Sequence, residues 1–298
     1  MISTFEQLHQ LLGSGKTKTV AVACAHDSHT LEAILKAREE GLVKCLLVGH
    51  RDEIFRIAAD LGSTLNEDEV LAAETDEEAA ALAVSLVREG KADFLQKGLM
   101  QTATILKAVV NKETGLHTGS VISHSALLEI PGYHKLVCVT DGGMIPYPDL
   151  ECKKSIIRNN VDMFHRLGYD RPMVSALCAA ENISPKIPET VDAAALKESC
   201  AAGELGACYV EGPISFDLAM NKESARIKGY TSPVSGETDV LLVPNITAGN
   251  IMCKGLMEFA GAKMAGCVIG AKCPIALNSR SASFEEKYYS ILVCALVS

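Results

Sequence analysis

Surplus positive charge, a long apolar run and paired cysteine motifs are all missing from this 298-residue chain. Lys and Arg number 28 against 37 Asp and Glu, a formal net charge of −9, whereas a general nucleic-acid binder needs clustered cations to neutralise phosphates. An anionic ligand must therefore be held by a local positive site. No stretch reaches the roughly 20 apolar residues of a membrane span, so no membrane partner is expected. The opening segment, with Glu6, Lys16 and Lys18, has no apolar core of signal-peptide length. Its 11 cysteines are scattered singly through apolar runs. With no Cys-x-x-Cys pair, a structural zinc site is not expected, and free buried thiols in a reducing cytoplasm are. Internal repeats, low-complexity tracts and coiled-coil heptads are also absent.

What is present fits a soluble α/β protein. Hydrophobic residues make up 48% and charged residues 22%, enough for a sizeable core in one large or two ordinary domains. Apolar, strand-like runs (KTVAVACA, LVKCLLVG, ADFLQKG, KLVCVTDGG, PMVSALCAAE, ACYVEG, DVLLVPN, GCVIGAKCPIAL) alternate with amphipathic helical stretches. That alternation predicts right-handed βαβ units around mainly parallel sheets. From Thr114 to His124 no regular period survives, which marks this stretch as a crossover between domains.

Several short motifs have to be weighed. GSGKT, Gly13–Thr17, imitates a phosphate-binding loop, but Gln10 stands where such a loop needs its first glycine, and the motif precedes a strand instead of following one. His26, Asp27 and His29 could be drawn as metal ligands. A turn in which Asp27 or Ser28 caps a helix explains them more simply. Asp141, Glu181, Glu211 and Asp217 sit at or just past strand ends, where they could line a cleft or cap helices. Lys97 closes ADFLQKG beside a helix start, a good place for an anion or simply a solvated lysine. Two polar loops, 245–250 and 278–283, each follow an apolar run and open a helix. In the first, Thr247, Gly249 and Asn250 are ligand candidates, with an ordinary cap at Asn250 as the plain alternative.

The segments KGLMQT (97–102), VTDGGM (139–144), HRLG (165–168), VEGPISFD (210–217), VPNITAGN (243–250) and NSRS (278–281) occur in the order that resembles the phosphate acetyltransferase and phosphate butyryltransferase family, closer to the butyryl branch. The resemblance spans essentially the whole chain. It implies two α/β domains similar to isocitrate and isopropylmalate dehydrogenases, 1–121 plus 269–298 and 122–268, with the active site in the cleft between them. It also implies reversible acyl transfer between coenzyme A and inorganic phosphate, giving acyl phosphate, with coenzyme A a substrate and no metal or other cofactor. A homodimer or higher homo-oligomer is usual in the family. A phosphate acetyltransferase and a non-catalytic acyl-CoA sensor of the same fold are the alternatives.

Residue by residue, the resemblance puts the chemistry on Ser279 and Arg280, with Asn278 and Ser281 beside them as substrate-binding candidates. Arg280 offers a planar fork for phosphate, and Ser279 a hydrogen bond to developing charge. The acetyl branch has an aspartate, thought to take the coenzyme A proton, at the position of Glu286. Here Ser283 and Glu286 also form a capping box, and a cap bond that depressed the carboxyl pKa would make a poorer base. Both readings of Glu286 stand. The acetyl branch carries a phosphate-binding arginine near Leu106 and Lys107, so Lys97 or Lys107 is left to substitute in part.

Overall fold

A computed structural model describes residues 1–279 and 282–298. They group into two compact units, Phe5–Ser120 with Met264–Ser298 and Met1–Thr4 with Val121–Lys263. The first unit begins with α1 (Phe5–Gly13), β1 (Lys18–Ala23), α2 (Ser28–Glu39), β2 (Val43–Gly49), α3 (Arg51–Asp60), β3 (Val70–Ala72), α4 (Asp76–Arg88), β4 (Phe94–Lys97) and α5 (Thr102–Val109). β1 pairs in parallel with both β2 and β4, and β2 with β3. Val20, Ala21, Val22 and Ala23 are fully buried, as expected of a strand covered on both faces. Helix starts follow local chemistry: Asp27 accepts from the Thr30 amide to cap α2, and Thr75 from the Glu78 amide to cap α4.

The order β3-β2-β1-β4 reverses direction at β1. Where an open parallel sheet reverses, the loops beyond the carboxyl ends of the two strands diverge and leave a crevice. In this unit that crevice lies between the ends of β1 and β4.

The second unit contains β5 (Ser123–Glu129), β6 (Val137–Thr140), α6 (Leu150–Arg166), β7 (Met173–Leu177), α7 (Pro188–Ala201), β8 (Tyr209–Ile214), α8 (Phe216–Met220), α9 (Lys222–Ile227), β9 (Val240–Leu242) and α10 (Ile246–Ala260). Its strands lie in the order β5-β6-β9-β7-β8, parallel except for the β5–β6 hairpin. A buried ion pair, Lys135 to Asp239 at 2.7 Å, ties the start of β6 to the start of β9. Then β10 (Lys263–Ile269), β11 (Ile275–Ala276) and α11 (Phe284–Val297) complete the first unit. β11 lies parallel to β4 and antiparallel to β10, while α11 buries Ile291, Leu292, Val293 and Cys294 completely. No described helix is long and apolar enough to cross a membrane.

The α/β class is as the sequence predicts, but three local expectations need correction. GCVIGAKCPIAL is not one strand: it folds back on itself at Gly270, where φ is +99°, to make the β10–β11 hairpin. SHSALLE, inside and just beyond the aperiodic stretch, is strand β5. PNITAGN is only briefly a loop, because Asn245 accepts from the Ala248 amide and α10 starts at Ile246. Thr247, Gly249 and Asn250 are therefore helical, and Asn250 is not the cap. The GSGKT stretch runs from the last residue of α1 to the start of β1, at the amino end of that strand.

Candidate active site

The crevice between β1 and β4 is closed by a glycine. Gly98 donates its amide to the Ala23 carbonyl at 2.8 Å, and a Cβ on Gly98 would lie 2.1 Å from the Cys24 carbonyl oxygen. Only glycine allows this approach. The contact turns the chain sharply after Lys97, whose buried ammonium donates to the carbonyls of Gly98 at 3.3 Å and Met100 at 3.2 Å.

From the other side α11 contributes Lys287, which is 6% exposed. Its ammonium donates to Asp27 Oδ2 at 3.1 Å and Thr30 Oγ1 at 3.0 Å. Burial alone would raise the Asp27 carboxyl, but hydrogen bonds from Thr30 and the charge of Lys287 outweigh it and hold the group below its ordinary range. Asp27, Lys97, Gly98, Leu99, Asn278, Ser279 and Lys287 line a recess of about 20 Å³. That volume holds one water-sized atom group. Two cations and one carboxylate make the local balance positive in an acidic protein.

Asn278 is oriented by a relay. Ser290 Oγ donates to the Glu286 carbonyl at 2.6 Å and accepts the Gly266 amide at 2.8 Å. Its proton is thus committed, and what it offers Asn278 at 2.9 Å is a lone pair. The amide nitrogen of Asn278 must face Ser290. The Oδ1 edge is left buried with no hydrogen-bond partner among the described residues.

Glu286 opens α11 in a reciprocal capping box: Ser283 Oγ accepts from the Glu286 amide and Glu286 Oε1 from the Ser283 amide, both at 3.2 Å. The depression that a cap bond alone would cause does not occur. Burial raises the carboxyl above its ordinary value, and the cap bond only partly opposes that. The cap bond therefore does not leave this carboxyl with the lowered proton affinity that it would impose on an exposed glutamate.

The other anticipated residues are placed as follows. Arg280 and Ser281 lie outside the described residues. Lys107 is exposed in the last turn of α5 and is not part of the recess lining, a position where its charge suits the helix carboxyl end. Thr247 lines a wide groove of about 770 Å³ in the second unit, with Tyr147, Phe216, Ile251, Met252 and Leu256. Gly249 is buried, and a Cβ there would lie 2.7 Å from Gly142 Cα. Its closest approach is thus to the 141–144 turn. Asn250 donates to the Gly142 carbonyl at 3.3 Å.

Asp141 organises that turn by accepting the amides of Gly143 and Met144 at 2.8 and 2.7 Å. Glu181 and Asp217 share Lys228, and Glu211 holds Lys197. Among the described residues no group of three or more His, Cys, Asp or Glu is placed to hold a metal. The sequence reading missed Lys287. The signal was available: it follows the capping-box glutamate and heads the otherwise apolar KYYSILVCAL.

A family model described as phosphate acetyl/butaryl transferase matches residues 66–295. The phosphate butyryltransferase of Clostridium acetobutylicum is 41% identical over 100% of this chain and 99% of its own length. The phosphate acetyltransferase of Thermotoga maritima is 36% identical, covering 96% of this chain and 97% of its own. Among solved structures, a branched-chain phosphotransacylase from Enterococcus faecalis V583 superposes with a TM-score of 0.82 at 31% identity, over 94% of this chain and 99% of that one.

Proposed function

The chain belongs to the phosphate acetyl/butyryl transferase family, and on that premise we propose that it transfers a short acyl group, butyryl first, between coenzyme A and inorganic phosphate. The observation that carries the assignment is the recess in which Ser279 meets Lys97 and Lys287 beyond the carboxyl ends of β1 and β4. Phosphate held by these cations attacks the thioester carbonyl carbon. As the C–O bond forms and the C–S bond breaks, negative charge passes to the carbonyl oxygen and then to the sulfur. Ser279 donates a hydrogen bond to that charge. Arg280, by its place in the family motif, forks onto phosphate, and Asn278 and Ser281 complete the loop. In the reverse direction Glu286 takes the thiol proton. Phosphate is the nucleophile and thiolate the leaving group, so the chemistry needs neither metal nor nicotinamide.

Butyryl is preferred because the butyryltransferase of C. acetobutylicum is more similar to this chain than the acetyltransferase of T. maritima is. The two-domain reading, with its crossover near residue 121, belongs to the same proposal, as do a homo-oligomeric state and a cytoplasmic location suited to 11 free thiols. Phosphate-dependent thiol release should be followed with acetyl-, propionyl-, butyryl- and isobutyryl-CoA. Butyryl-CoA should exceed acetyl-CoA in kcat/KM by at least ~10-fold, since a single methylene in an apolar pocket is worth about 10 to 200-fold. Arg280→Ala should lower kcat/KM by about 10² to 10³ with the fold retained. Tight acyl-CoA binding without phosphate-dependent turnover would instead identify a sensor.

A further inference from the structure

We propose that Ser290 is a positioning residue for acyl transfer, fixing where the 278–283 loop leaves the sheet and how Ser279 is held relative to Glu286. The inference rests on reading the chain as a phosphate acyltransferase. Ser290 is fully buried in α11 beside Ile291 and Leu292, in an apolar stretch where an unbonded hydroxyl would be unfavourable. It is not one of the residues lining the recess.

Its first bond ends a ladder. In the β10–β11 hairpin the register that sets Cys267 against Ala276 sets Gly266 against Leu277. Leu277 donates its amide to the Gly266 carbonyl at 3.3 Å, and a regular hydrogen-bonded pair would return the Gly266 amide to Leu277. That amide goes instead to Ser290 Oγ at 2.8 Å. β11 accordingly stops at Ala276, and the chain leaves the sheet there.

The remaining bonds catch the departing chain. Asn278 donates from Nδ2 to Ser290 Oγ at 2.9 Å and to the Glu286 carbonyl at 3.4 Å. Ser290 Oγ donates to that same carbonyl at 2.6 Å. Four residues apart, Glu286 and Ser290 share one face of α11. The residue just before Ser279 is therefore tied to the turn that carries Glu286, and the Ser290 hydroxyl is the common point. With one proton given and two lone pairs taken, that hydroxyl has nothing left for a substrate. Any effect it has on the reaction must pass through the loop.

The test measures phosphate-dependent thiol release from butyryl-CoA and thermal melting on the same proteins. Ser290→Ala releases Gly266 and Asn278 together, and a shift near 1 Å in the loop should lower kcat by about 10². Ser290→Thr keeps the hydroxyl, which in a helix still reaches the carbonyl four residues back, so kcat should stay within ~5-fold of the wild type. Its extra methyl should nevertheless lower the melting temperature. Rate should thus follow the hydroxyl and not the stability. Placed on Ser279→Ala, the Ser290→Ala loss should shrink below ~10-fold, because residues acting as a unit are not additive. An equal loss in both backgrounds would overturn the proposal, as would a Ser290→Thr enzyme as slow as Ser290→Ala. If Ser290→Ala does not fold, Ser290→Cys, whose sulfur is a weak acceptor, takes its place. Each comparison decides alone where the other cannot be made. Wild-type protein that releases no thiol from any short acyl-CoA with phosphate would refute the acyltransferase reading itself.

Discussion

Under the proposed function Glu286 would meet two demands that ordinarily pull its pKa in opposite directions. A cap partner works as an anion accepting the Ser283 amide, and a base works best when its proton affinity is near the ambient pH. Burial decides between them, because taking the charged form out of water raises the pKa by more than the single backbone bond lowers it. The sign of the stability effect follows. A carboxyl whose folded pKa is raised is favoured neutral in the folded state, so the unfolded chain ionises first as pH climbs through the ordinary carboxylate range, and stability falls there. Glu286→Gln keeps an oxygen for the cap and cannot ionise. Its melting temperature should match the wild type at acid pH and exceed it at neutral pH, while kcat/KM for coenzyme A acylation drops by about 10² to 10⁴. Melting curves across pH alongside acyl-transfer rates check both halves. Wild-type turnover in Glu286→Gln would reduce this residue to a cap alone.

Among the elements, the turn that joins β4 to α5 contributes Lys97 and Gly98 to the recess. Gly98 rests on the backbone of β1, and backbone cannot yield as the end of a flexible side chain can. Gly98→Ala should force the turn away from Cys24 and cost about 1 to 3 kcal/mol, as overpacking does. It should also displace Lys97, and a shift near 1 Å in a positioning group is worth about 10² in rate. Denaturant unfolding and kcat/KM should therefore fall together, and an alanine variant unchanged in both would show that the close approach is not required. The strand end was legible in the sequence, since a lysine and a glycine closing an apolar run say where a strand stops. The partner side of the recess was not. Asp27 and Lys287 are far apart in sequence, and their 3.1 Å pairing depends on α11 packing beside α2. The PNITAGN stretch was misread for a related reason: a glycine in a helix looks like a loop until the neighbour that requires it, Gly142, is known.

At the scale of the whole molecule, the alternation of apolar runs and amphipathic helices was enough to give the α/β class, because parallel strands buried on both faces need that alternation. It could not show the two antiparallel hairpins, β5–β6 and β10–β11, whose pairing partners are set by sheet order and not by local period. Nor could it show which apolar residues stay outside. Tyr147 is 83% exposed, Ile251 67% and Phe259 93%, and Ile251 borders the groove of about 770 Å³ along α10. Tyr147 and Ile251 line that groove together and Phe259 lies farther along α10, and exposed large apolar side chains mark surfaces that associate. A homo-oligomer of at least two copies would cover them, and a stable interface needs only about 800 Å² from each partner. Light scattering should accordingly give at least twice the chain mass of 31.7 kDa. The double variant Ile251→Glu, Phe259→Glu should bring the mass down to a single chain, because charge on that face must be desolvated to associate. A wild-type protein that is monomeric at micromolar concentration would rule this out, whereas an oligomer undisturbed by the two glutamates would move the interface away from α10.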